Sequence, residues 1–162
     1  MKILVVSDSH GRYDRLGTLM SMHADADEIL FLGDGARDTF VLGRRAICVR
    51  GNCDALFAQE LPSERMLWLG DFKILMMHGH EQLVKSGIDR ALGYAYGKGA
   101  DILLYGHTHA RFEKYYPEGT RVGEVTLERP MYAFNPGSIG DSGSFGLIEI
   151  KNGSVLFSHG TV

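Results

Sequence analysis

The sequence predicts an α/β fold in which two packed mixed sheets are flanked by helices. In the first half of the 162 residues, short apolar runs alternate with helix-like segments, which is the rhythm of β-α-β units with parallel strands. From Phe112 onward, apolar and polar residues alternate, as in antiparallel strands that bury one face. Because 44% of the residues are apolar, a chain of this length can bury a continuous core. We therefore expect one domain over residues 1–162.

Polar loops follow the predicted strands of the first half. These strands are expected at Ile3–Val6, Ile29–Leu32 and Ala46–Val49, with a helix around Leu16–Met22 after the first of them. In parallel sheets, ligands bind outside the carboxyl ends of the strands, so the loops at these ends are candidates for a functional site. The loops read Ser7-Asp8-Ser9-His10, Gly33-Asp34-Gly35 and Gly51-Asn52-Cys53-Asp54.

The middle of the chain repeats this arrangement. Gly70-Asp71 stands between two apolar runs and is typical of a hairpin turn. Polar loops again follow strands, at His78-Gly79-His80 and at Gly106-His107-Thr108-His109. The predicted elements here are strands at Met66–Leu69 and Phe72–Met77, a helix over Ser86–Tyr96 and a strand at Ile102–Tyr105.

The last third of the chain is predicted to be antiparallel. Asn152-Gly153 lies between two alternating stretches, which favours a two-residue hairpin over a glycosylation acceptor. The predicted strands are Phe112–Tyr116, Glu124–Leu127, Met131–Phe134, Gly146–Ile150 and Val155–Ser158.

Most of the 7 histidines stand in tight groups at predicted strand ends. A single Asp-x-His or His-x-His group is more often a helix cap or a surface turn than a metal site. Strand-end loops of one sheet share an edge, however, so side chains that are far apart in sequence can meet there. We expect the following candidate metal ligands to converge: Asp8, His10, Asp34, Asn52, His78, His107 and His109.

Several polar residues near these loops have a simpler interpretation. Asp38 is expected to be a helix cap or a solvated carboxylate rather than a ligand. Asp54 either orients a ligand or caps a helix. His23 and His159 match no strand-end loop and are expected at the surface or in packing.

The five strand-end loops contain short sequence blocks that together resemble the calcineurin-like metallophosphoesterase superfamily. They are most similar to its small single-domain prokaryotic phosphodiesterase branch. The later run Asn135-Pro136-Gly137-Ser138 adds to the resemblance. The blocks are Asp8-Ser9-His10, Gly33-Asp34, Gly51-Asn52-Cys53-Asp54, His78-Gly79-His80 and Gly106-His107-Thr108-His109. The resemblance implies a metallophosphoesterase-type β-sandwich of two mixed sheets flanked by helices. It also implies a phosphodiesterase in which a metal-bridging hydroxide attacks phosphorus in line.

The resemblance further implies a role for each ligand candidate. One divalent ion would be held by Asp8, His10 and His109, the other by Asn52, His78 and His107, and Asp34 would bridge them. Imidazole and carboxylate ligands fit transition metals better than magnesium; we expect manganese, with nickel, zinc, iron or cobalt as alternatives.

Two further residues are candidates for the reaction itself. Many relatives carry histidine after the metal-binding asparagine, where it can protonate the leaving group, but this chain has Cys53 there. Cys53 is therefore either a weak substitute for that acid or a small buried apolar residue. His80 is expected to contact substrate, to support a ligand or to be structural. The implied catalytic set is Asp34, Asn52, His78, His107, Cys53 and His80.

Charge and motifs restrict the expected partners to a small phosphate ester. The net charge is −3 and Arg44-Arg45 is only a pair of basic residues, so nucleic-acid binding is not expected. No signal-peptide core or spanning segment is visible, and the 2 cysteines do not suggest a disulfide, which favours a cytoplasmic protein without a membrane partner. The chain lacks a Walker-type loop and a Gly-x-Ser-x-Gly elbow, so nucleotide-driven motors and serine hydrolases are poor alternatives.

Two alternatives to a phosphodiesterase stay open. The retromer subunit with this fold acts by binding partners, so a catalytically weak interaction scaffold is the first, and a phosphomonoesterase or nuclease is the second. Trp68, Tyr115 and Tyr116 are aromatic candidates for a homo-oligomer contact, and core packing explains most such residues equally well. The loops expected to select the substrate, Leu56–Leu61 and Tyr115–Gly123, carry no readable specificity pattern.

Overall fold

The computed structural model describes residues 1–43, 46–54, 58 and 60–162. The Arg44-Arg45 pair lies outside the described residues, as do residues 56, 57 and 59 of the loop that we expect to select substrate. In the described part of the chain, none of the helices has the length and apolar character of a membrane span.

The elements follow the order expected from the sequence, with one short strand at Arg121–Val122 and one short α-helix near the end added. The strands are β1 (Lys2–Val6), β2 (Glu28–Phe31), β3 (Ala46–Cys48), β4 (Glu64–Leu69), β5 (Phe72–Met77), β6 (Ile102–Leu104), β7 (Arg111–Tyr116), β8 (Arg121–Val122), β9 (Val125–Thr126), β10 (Met131–Pro136), β11 (Ser144–Lys151) and β12 (Ser154–Thr161). The α-helices are α1 (Tyr13–Met22), α2 (Asp89–Gly97) and the added α3 (Ile139–Ser142), and 3₁₀ helices cover Ala36–Leu42, Asn52–Asp54 and Val84–Ser86.

The first sheet has the strand order β12-β11-β1-β2-β3. Strands β1, β2 and β3 are parallel, with Leu4 beside Ile29, whereas β11 is antiparallel to β1 and to β12. Ile3 and Val5 face the core between the two sheets, and Leu4 and Val6 face helix α1. Because both faces of β1 are covered, its sequence is a continuous apolar run rather than an alternating one.

The second sheet has the order β4-β5-β6-β10-β7. Strands β5, β6 and β10 are parallel, with Ile74 and Tyr132 on either side of Ile102, and β7 forms the antiparallel edge. The prediction that the strands after Phe112 are antiparallel is therefore confirmed for β10 with β7 and wrong for β10 with β6. Alternation of apolar residues reports which faces of a strand are buried, and it carries no information on the direction of the neighbouring strand.

Two other predicted elements differ from the structure. Only Val125–Thr126 of the predicted Glu124–Leu127 strand is extended, and it pairs with β8 in a separate two-stranded sheet. The predicted helix over Ser86–Tyr96 begins later, at Asp89. Gly87 has a φ of 134°, which is incompatible with a helix, so the preceding 3₁₀ turn and α2 are separate.

Both predicted hairpins are confirmed. Gly70-Asp71 joins β4 to β5, with Gly70 at a φ of 58°. Asn152 and Gly153 join β11 to β12 with φ values of 52° and 71°, the positive pair that a type I′ turn requires.

The two sheets pack face to face, and helices cover their outer sides. Ile74 and Phe134 of the second sheet meet Val5 and Ile148 of the first in the central core. Helices α1 and α3 cover the first sheet, and α2 covers the second. The predicted α/β fold of two mixed sheets flanked by helices is thereby confirmed.

Adjacent aromatic residues on β7 have opposite environments. Tyr115 is 50% exposed, whereas Tyr116 is 4% exposed and packs in the core beneath α2, so for Tyr116 the core-packing interpretation is confirmed and the contact interpretation is wrong. Successive residues of a strand point to opposite faces, which explains the difference. Trp68, at 69% exposure, and Tyr115 still offer a surface for self-association, which stays a prediction.

His23 and His159 both act in packing, as expected. The His159 ring stacks on Phe134 with centroids 4.6 Å apart, and its Nε2 lies 2.8 Å from the carbonyl oxygen of Asn135. The His23 ring lies edge-on to Phe145 with centroids 5.1 Å apart.

Candidate metal centre

The predicted strand-end loops are bonded to one another at one edge of the two sheets. The N–H of Asp8 donates to the carbonyl oxygen of Gly33 at 2.9 Å. The N–H of Gly106 donates to the carbonyl oxygen of His78 at 3.1 Å. The N–H of His107 then donates to the Asp8 carboxylate at 3.1 Å, which joins the loops of the two sheets. The structure therefore brings together loops that are about a hundred residues apart in sequence.

Most of the predicted ligands have a left-handed backbone. For residues with a side chain, this conformation is uncommon and clusters at functional sites, where the surrounding structure holds it in place. The φ values are 55° at Asp8, 45° at His10, 58° at Asp34, 66° at His107 and 60° at His109.

An outer group is formed by Asp8, His10 and His109, whose ligand atoms all lie within 4.8 Å of one another. Nε2 of His109 lies 3.2 Å from Asp8 Oδ1 and 3.3 Å from Nε2 of His10. The two rings are partly exposed, whereas the Asp8 side chain is fully buried. Burial raises the pKa of Asp8 despite the opposing charges of His78 and His109.

An inner group is formed by Asp34, His78 and His107, with the same 4.8 Å limit on their separations. Nε2 of His78 lies 3.3 Å from Asp34 Oδ2. Nδ1 of His78 lies 2.8 Å from the carbonyl oxygen of Leu32, to which only a protonated nitrogen can donate. That bond leaves the lone pair of the neutral ring on Nε2, the nitrogen that faces Asp34.

Charges within the inner group set its protonation. Burial alone would raise the pKa of Asp34, but its contact with His78 and the N–H of Cys53 hold that pKa well below its usual range. Burial alone would lower the pKa of His78, but Asp34 and Asp8 raise it. Burial and the charge of His78 lower the pKa of His107 to about 4, so its ring is neutral at neutral pH.

The 3₁₀ turn Asn52–Asp54 lies against both groups. The N–H of Cys53 donates to Asp34 Oδ1 at 2.8 Å, and Sγ of Cys53 lies within 4.8 Å of ligand atoms of His10 and Asp34. The amide of Asn52 donates to this sulfur at 3.4 Å. Cys53 is exposed, so its interpretation as a small buried apolar residue is wrong. Desolvation and the adjacent Asp34 carboxylate raise the pKa of the thiol to about 11.

His80 borders the inner group. Its ring centroid lies 5.4 Å from that of His78 and 6.1 Å from that of His107. Its Nδ1 is buried and has no hydrogen-bond partner in the described part of the chain. Burial and the charge of His78 lower the pKa of His80, which leaves a neutral ring beside the ligand candidates.

Asp54 holds the inner loops by accepting four backbone hydrogen bonds. One oxygen accepts from the N–H groups of Gly35 and Ala36, and the other from those of Asp34 and Gly51, at 2.8–2.9 Å. Asp54 therefore orients the loop that carries Asp34. Of the two roles expected from the sequence, orienting a ligand or capping a helix, this is the first.

Asp38 and Asp141 support the outer group. Asp38 is buried and accepts from the Ser9 hydroxyl at 2.6 Å, so its interpretation as a cap or a solvated carboxylate is wrong. Asp141 Oδ2 lies 2.5 Å from Nδ1 of His109 and directs Nε2 of that ring toward Asp8. The sequence reasoning missed Asp141, although it lies three residues after the Asn135-Pro136-Gly137-Ser138 run.

The Asn135-Pro136-Gly137-Ser138 run holds the loops that carry the ligand candidates in position. The Asn135 amide donates to the carbonyl oxygen of Gly106 at 2.9 Å and to Thr108 Oγ1 at 3.1 Å. Ser138 donates to the carbonyl oxygen of Asp8 and accepts from the N–H of Asp141, both at 2.9 Å. The run thus links the loops of both ligand groups and caps α3.

The donor set suits divalent transition metals. Asp8 Oδ1 and His78 Nε2 are buried without a hydrogen-bond partner in the described residues, and they lie 3.9 Å apart. Leaving such atoms unpaired is costly, whereas a cation bound by carboxylate oxygens and imidazole nitrogens would satisfy them.

Comparison with known proteins relates the whole chain to phosphoesterases. The family model of the calcineurin-like phosphoesterase superfamily domain matches residues 1–160. YsnB of Bacillus subtilis, a probable metallophosphoesterase, is 37% identical over 142 residues, which cover 86% of this chain and 75% of that protein. Phosphodiesterase YfcE of Escherichia coli is 28% identical over 181 aligned positions, which cover 92% of this chain and 88% of YfcE.

Solved structures share the architecture. A conserved uncharacterized protein of Streptococcus pneumoniae, described as a predicted phosphoesterase, has a TM-score of 0.78 at 26% identity and covers 99% of this chain and 88% of its own. Vps29 of Entamoeba histolytica complexed with Zn²⁺ has a TM-score of 0.69 at 25% identity, and the match covers 98% of each chain. The same architecture thus occurs in proteins named as phosphoesterases and in Vps29.

Proposed function

Because the chain belongs to the calcineurin-like phosphoesterase superfamily, we propose that it is a phosphodiesterase with a binuclear metal centre. One observation carries the proposal: the buried atoms Asp8 Oδ1, of the outer group, and His78 Nε2, of the inner group, lie 3.9 Å apart and have no hydrogen-bond partner in the described residues. Divalent cations would satisfy both atoms and would give the site the positive charge that a phosphate ester needs.

The two groups of side chains correspond to two metal positions. In this proposal, the outer group holds one ion, and His78 and His107 hold the other together with Asn52. Asp34 would serve both positions, since its carboxylate lies within 4.8 Å of ligand atoms of both His10 and His78. Manganese is the proposed metal, and zinc, nickel, iron and cobalt suit the same ligands.

The chain's own residues supply orientation. Leu32 fixes the tautomer of His78 through its carbonyl oxygen, and Asp141 fixes that of His109. When bound, the ions supply a water of lowered pKa as nucleophile and neutralise charge on the phosphate. Because the nucleophile is water, no side chain needs to form a covalent intermediate.

A preference for diesters follows from the residue beside the centre. Cys53 offers a thiol at the position where an imidazole would protonate the departing alcohol, and it lies next to Asp34. Without that acid, esters whose leaving group departs easily are favoured. The likeness to phosphodiesterase YfcE supports the same preference.

An interaction scaffold is the second candidate, because Vps29 shares the architecture. The two candidates differ in what the centre must do: a scaffold needs only a stable surface, whereas a hydrolase needs both ligand groups intact. The outer and inner groups are both formed here, which supports the hydrolase.

Metal analysis combined with a substrate panel tests the proposal. The purified protein is expected to contain or accept two divalent ions, to lose diesterase activity on treatment with a chelator and to regain it on addition of manganese. The panel contains phosphomonoesters, linear diesters and cyclic nucleotides. Full activity in a metal-free sample would exclude the mechanism, and metal binding without hydrolysis of any ester would favour the scaffold.

A further inference from the structure

A cleft of about 290 Å³ opens beside the outer group. His10 and Cys53 line the cleft, and their ligand atoms lie within 4.8 Å of an oxygen of Asp34, so the cleft is continuous with the candidate metal centre. Small-molecule sites measure about 300–1,000 Å³, so the cleft has room for one substituent of a substrate whose phosphate lies on the metal centre.

The 3₁₀ helix Ala36–Leu42 forms one side of the cleft, through Arg37 and Asp38. Side chains three residues apart lie one above the other in a 3₁₀ helix. The exposure of the helix follows this rule, since Arg37 and Phe40 are exposed whereas Asp38 is buried. Phe40 therefore follows Arg37 along the exposed face of the helix that borders the cleft.

Tyr13 lies beside Phe40, and the two form an exposed aromatic pair. Tyr13 begins α1, three residues after the ligand candidate His10. Its ring centroid lies 6.3 Å from that of Phe40. Tyr13 is 56% exposed and Phe40 is 74% exposed, the highest fraction among the large apolar side chains of the described residues. Single exposed apolar residues are common, but an adjoining pair forms a patch that indicates a binding site.

The size of the aromatic pair suits a small molecule rather than a protein. An aromatic side chain buries about 150–250 Å² when it is covered, so the pair offers at most about 500 Å². A stable protein interface needs about 800 Å² on each partner. The exposed charges on either side of Tyr13 offset each other, because Arg12 and Asp14 form a salt bridge at 2.9 Å.

The geometry of the aromatic pair favours a third aromatic ring over a saturated group of the same size. Aromatic rings attract one another in offset-stacked and edge-to-face arrangements. Tyr13 and Phe40 are tilted by 42° rather than stacked on each other, and both are more than half exposed, so ring faces are open to a ligand.

We propose that the aromatic pair binds a planar aromatic ring carried by one substituent of the phosphodiester. With the phosphate on the metal centre, that substituent lies in the cleft and its ring contacts Tyr13 and Phe40. The substrate class is then an organic phosphodiester that carries an aryl group or a nucleobase. This inference rests on the proposed phosphodiesterase function.

Two phosphates that differ only in the saturation of one ring test the inference. Calorimetry on the manganese-loaded protein compares benzyl phosphate with cyclohexylmethyl phosphate. The wild-type protein is expected to bind benzyl phosphate about fivefold more tightly, the size of one favourable contact between aromatic rings. Phe40→Leu keeps an apolar side chain but removes the ring, so it should abolish most of this preference, and Tyr13→Leu should reduce it. Because both ligands carry the same phosphate, the ratio of their affinities cancels any general change at the metal centre.

Trp68→Leu is the matched control. Trp68 is 69% exposed and pairs with Lys73 near the start of β5, whereas the ligand loop His78-Gly79-His80 follows the end of that strand. The change removes an equally exposed ring at the far end of the sheet and should leave the preference unchanged. Equal affinities for the two phosphates in wild type would overturn the inference. A preference that Phe40→Leu does not alter, or that Trp68→Leu reduces as much, would also overturn it.

A second pair of ligands distinguishes a nucleobase from a simple aryl group. Thymidine monophosphate carries a planar base, and its dihydrothymidine counterpart carries a saturated, puckered one. A preference for the planar base that Phe40→Leu removes supports a nucleoside substituent, and a response confined to benzyl phosphate supports an aryl group. Sedimentation measures self-association in the same variants. If Phe40→Leu alters the oligomeric state and leaves both preferences unchanged, the aromatic pair is a contact between copies of this chain and the inference is wrong.

These binding ratios separate the inference from the proposed function. If no diester is hydrolysed, the proposed function fails while the ratio for benzyl and cyclohexylmethyl phosphate still tests the aromatic pair. If diesters are hydrolysed and the ratio does not respond to Phe40→Leu, only the inference on the aromatic pair fails.

Discussion

The outer and inner groups contain the same kinds of side chain but are held in different ways. In the inner group, the ring of His78 is fully buried, and it is hydrogen-bonded to the backbone carbonyl oxygen of Leu32, directly after β2. In the outer group, the rings of His10 and His109 are about one-third exposed, and His109 is oriented by Asp141, itself exposed at the surface. The inner group is therefore anchored in the core through His78, whereas both histidines of the outer group lie at the surface above the buried Asp8.

This difference determines how easily the ligand side chains of each group can be displaced. A ligand fixed by the core backbone loses its position only when the fold itself changes. A ligand fixed by a surface carboxylate depends on one side-chain contact, which can be removed without disturbing the sheets. Four changes, ordered by the size of their expected effects, would test this contrast.

The largest effect is expected from Asp34→Asn, because Asp34 serves both groups. The change keeps the size of the side chain and removes the negative charge between two mutually repelling cations. Loss of a residue that merely supports a ligand costs about 10- to 100-fold, so the loss of kcat/KM here should exceed about 100-fold. His23→Ala, which alters a histidine packed on Phe145, is the control and should have little effect on catalysis. Similar losses in the two folded variants would show that the site is misplaced.

Asp141→Asn is expected to weaken the outer group alone. Without the carboxylate, Nδ1 of His109 loses its fixed partner, and metal affinity should fall about 10- to 100-fold at that position. Titration with manganese, followed by metal analysis, should show one ion bound as in wild type and one bound weakly. Asp25→Asn removes an exposed carboxylate paired with Lys2 and serves as the control. Equal weakening of both ions would contradict the separation into two groups.

Cys53→His is expected to change substrate preference rather than metal content. An imidazole at this position can protonate a departing alcohol, so hydrolysis of monoesters and alkyl esters should rise relative to activated diesters. General acid catalysis contributes about 10²–10⁴-fold when aligned, and a gain of about tenfold is expected for a group introduced without optimisation. Cys53→Ser should change little. A series of esters with graded leaving-group pKa measures this, and a steep loss for poor leaving groups in Cys53→Ser would make the thiol itself the acid.

The smallest expected effect is on the rate of metal loss. With excess chelator, the ion at the exposed outer group should leave before the ion at the buried inner group, which gives two phases of release. Asp141→Asn should accelerate the faster phase and leave the slower one unchanged. A single phase that Asp141→Asn does not alter would contradict the contrast between surface and core.

Much of the fold and of the candidate site could be predicted from the sequence, because both depend on local pattern. The apolar runs locate β1, β2, β5 and β6, and the polar residues in the loops after them form the two ligand groups. Strand direction could not be predicted for β10, because its parallel partner β6 is separated from it by the β7 to β9 segment. Asp141 and Asp38 could not be assigned either, since their roles depend on contacts with His109 and Ser9 that only the folded chain creates.

The left-handed backbone at the ligands has a consequence for local dynamics. Each such residue costs about 1–3 kcal/mol, and several of them, including Asp8, Asp34 and His107, lie in adjoining loops. Ligand binding to the native state alone stabilises that state by mass action, so bound ions would offset this cost. The metal-free protein should then open first at these loops, while the strands behind them stay closed, and amide hydrogen exchange would slow selectively there when metal is added. The site is thus the region in which local order and metal occupancy are linked.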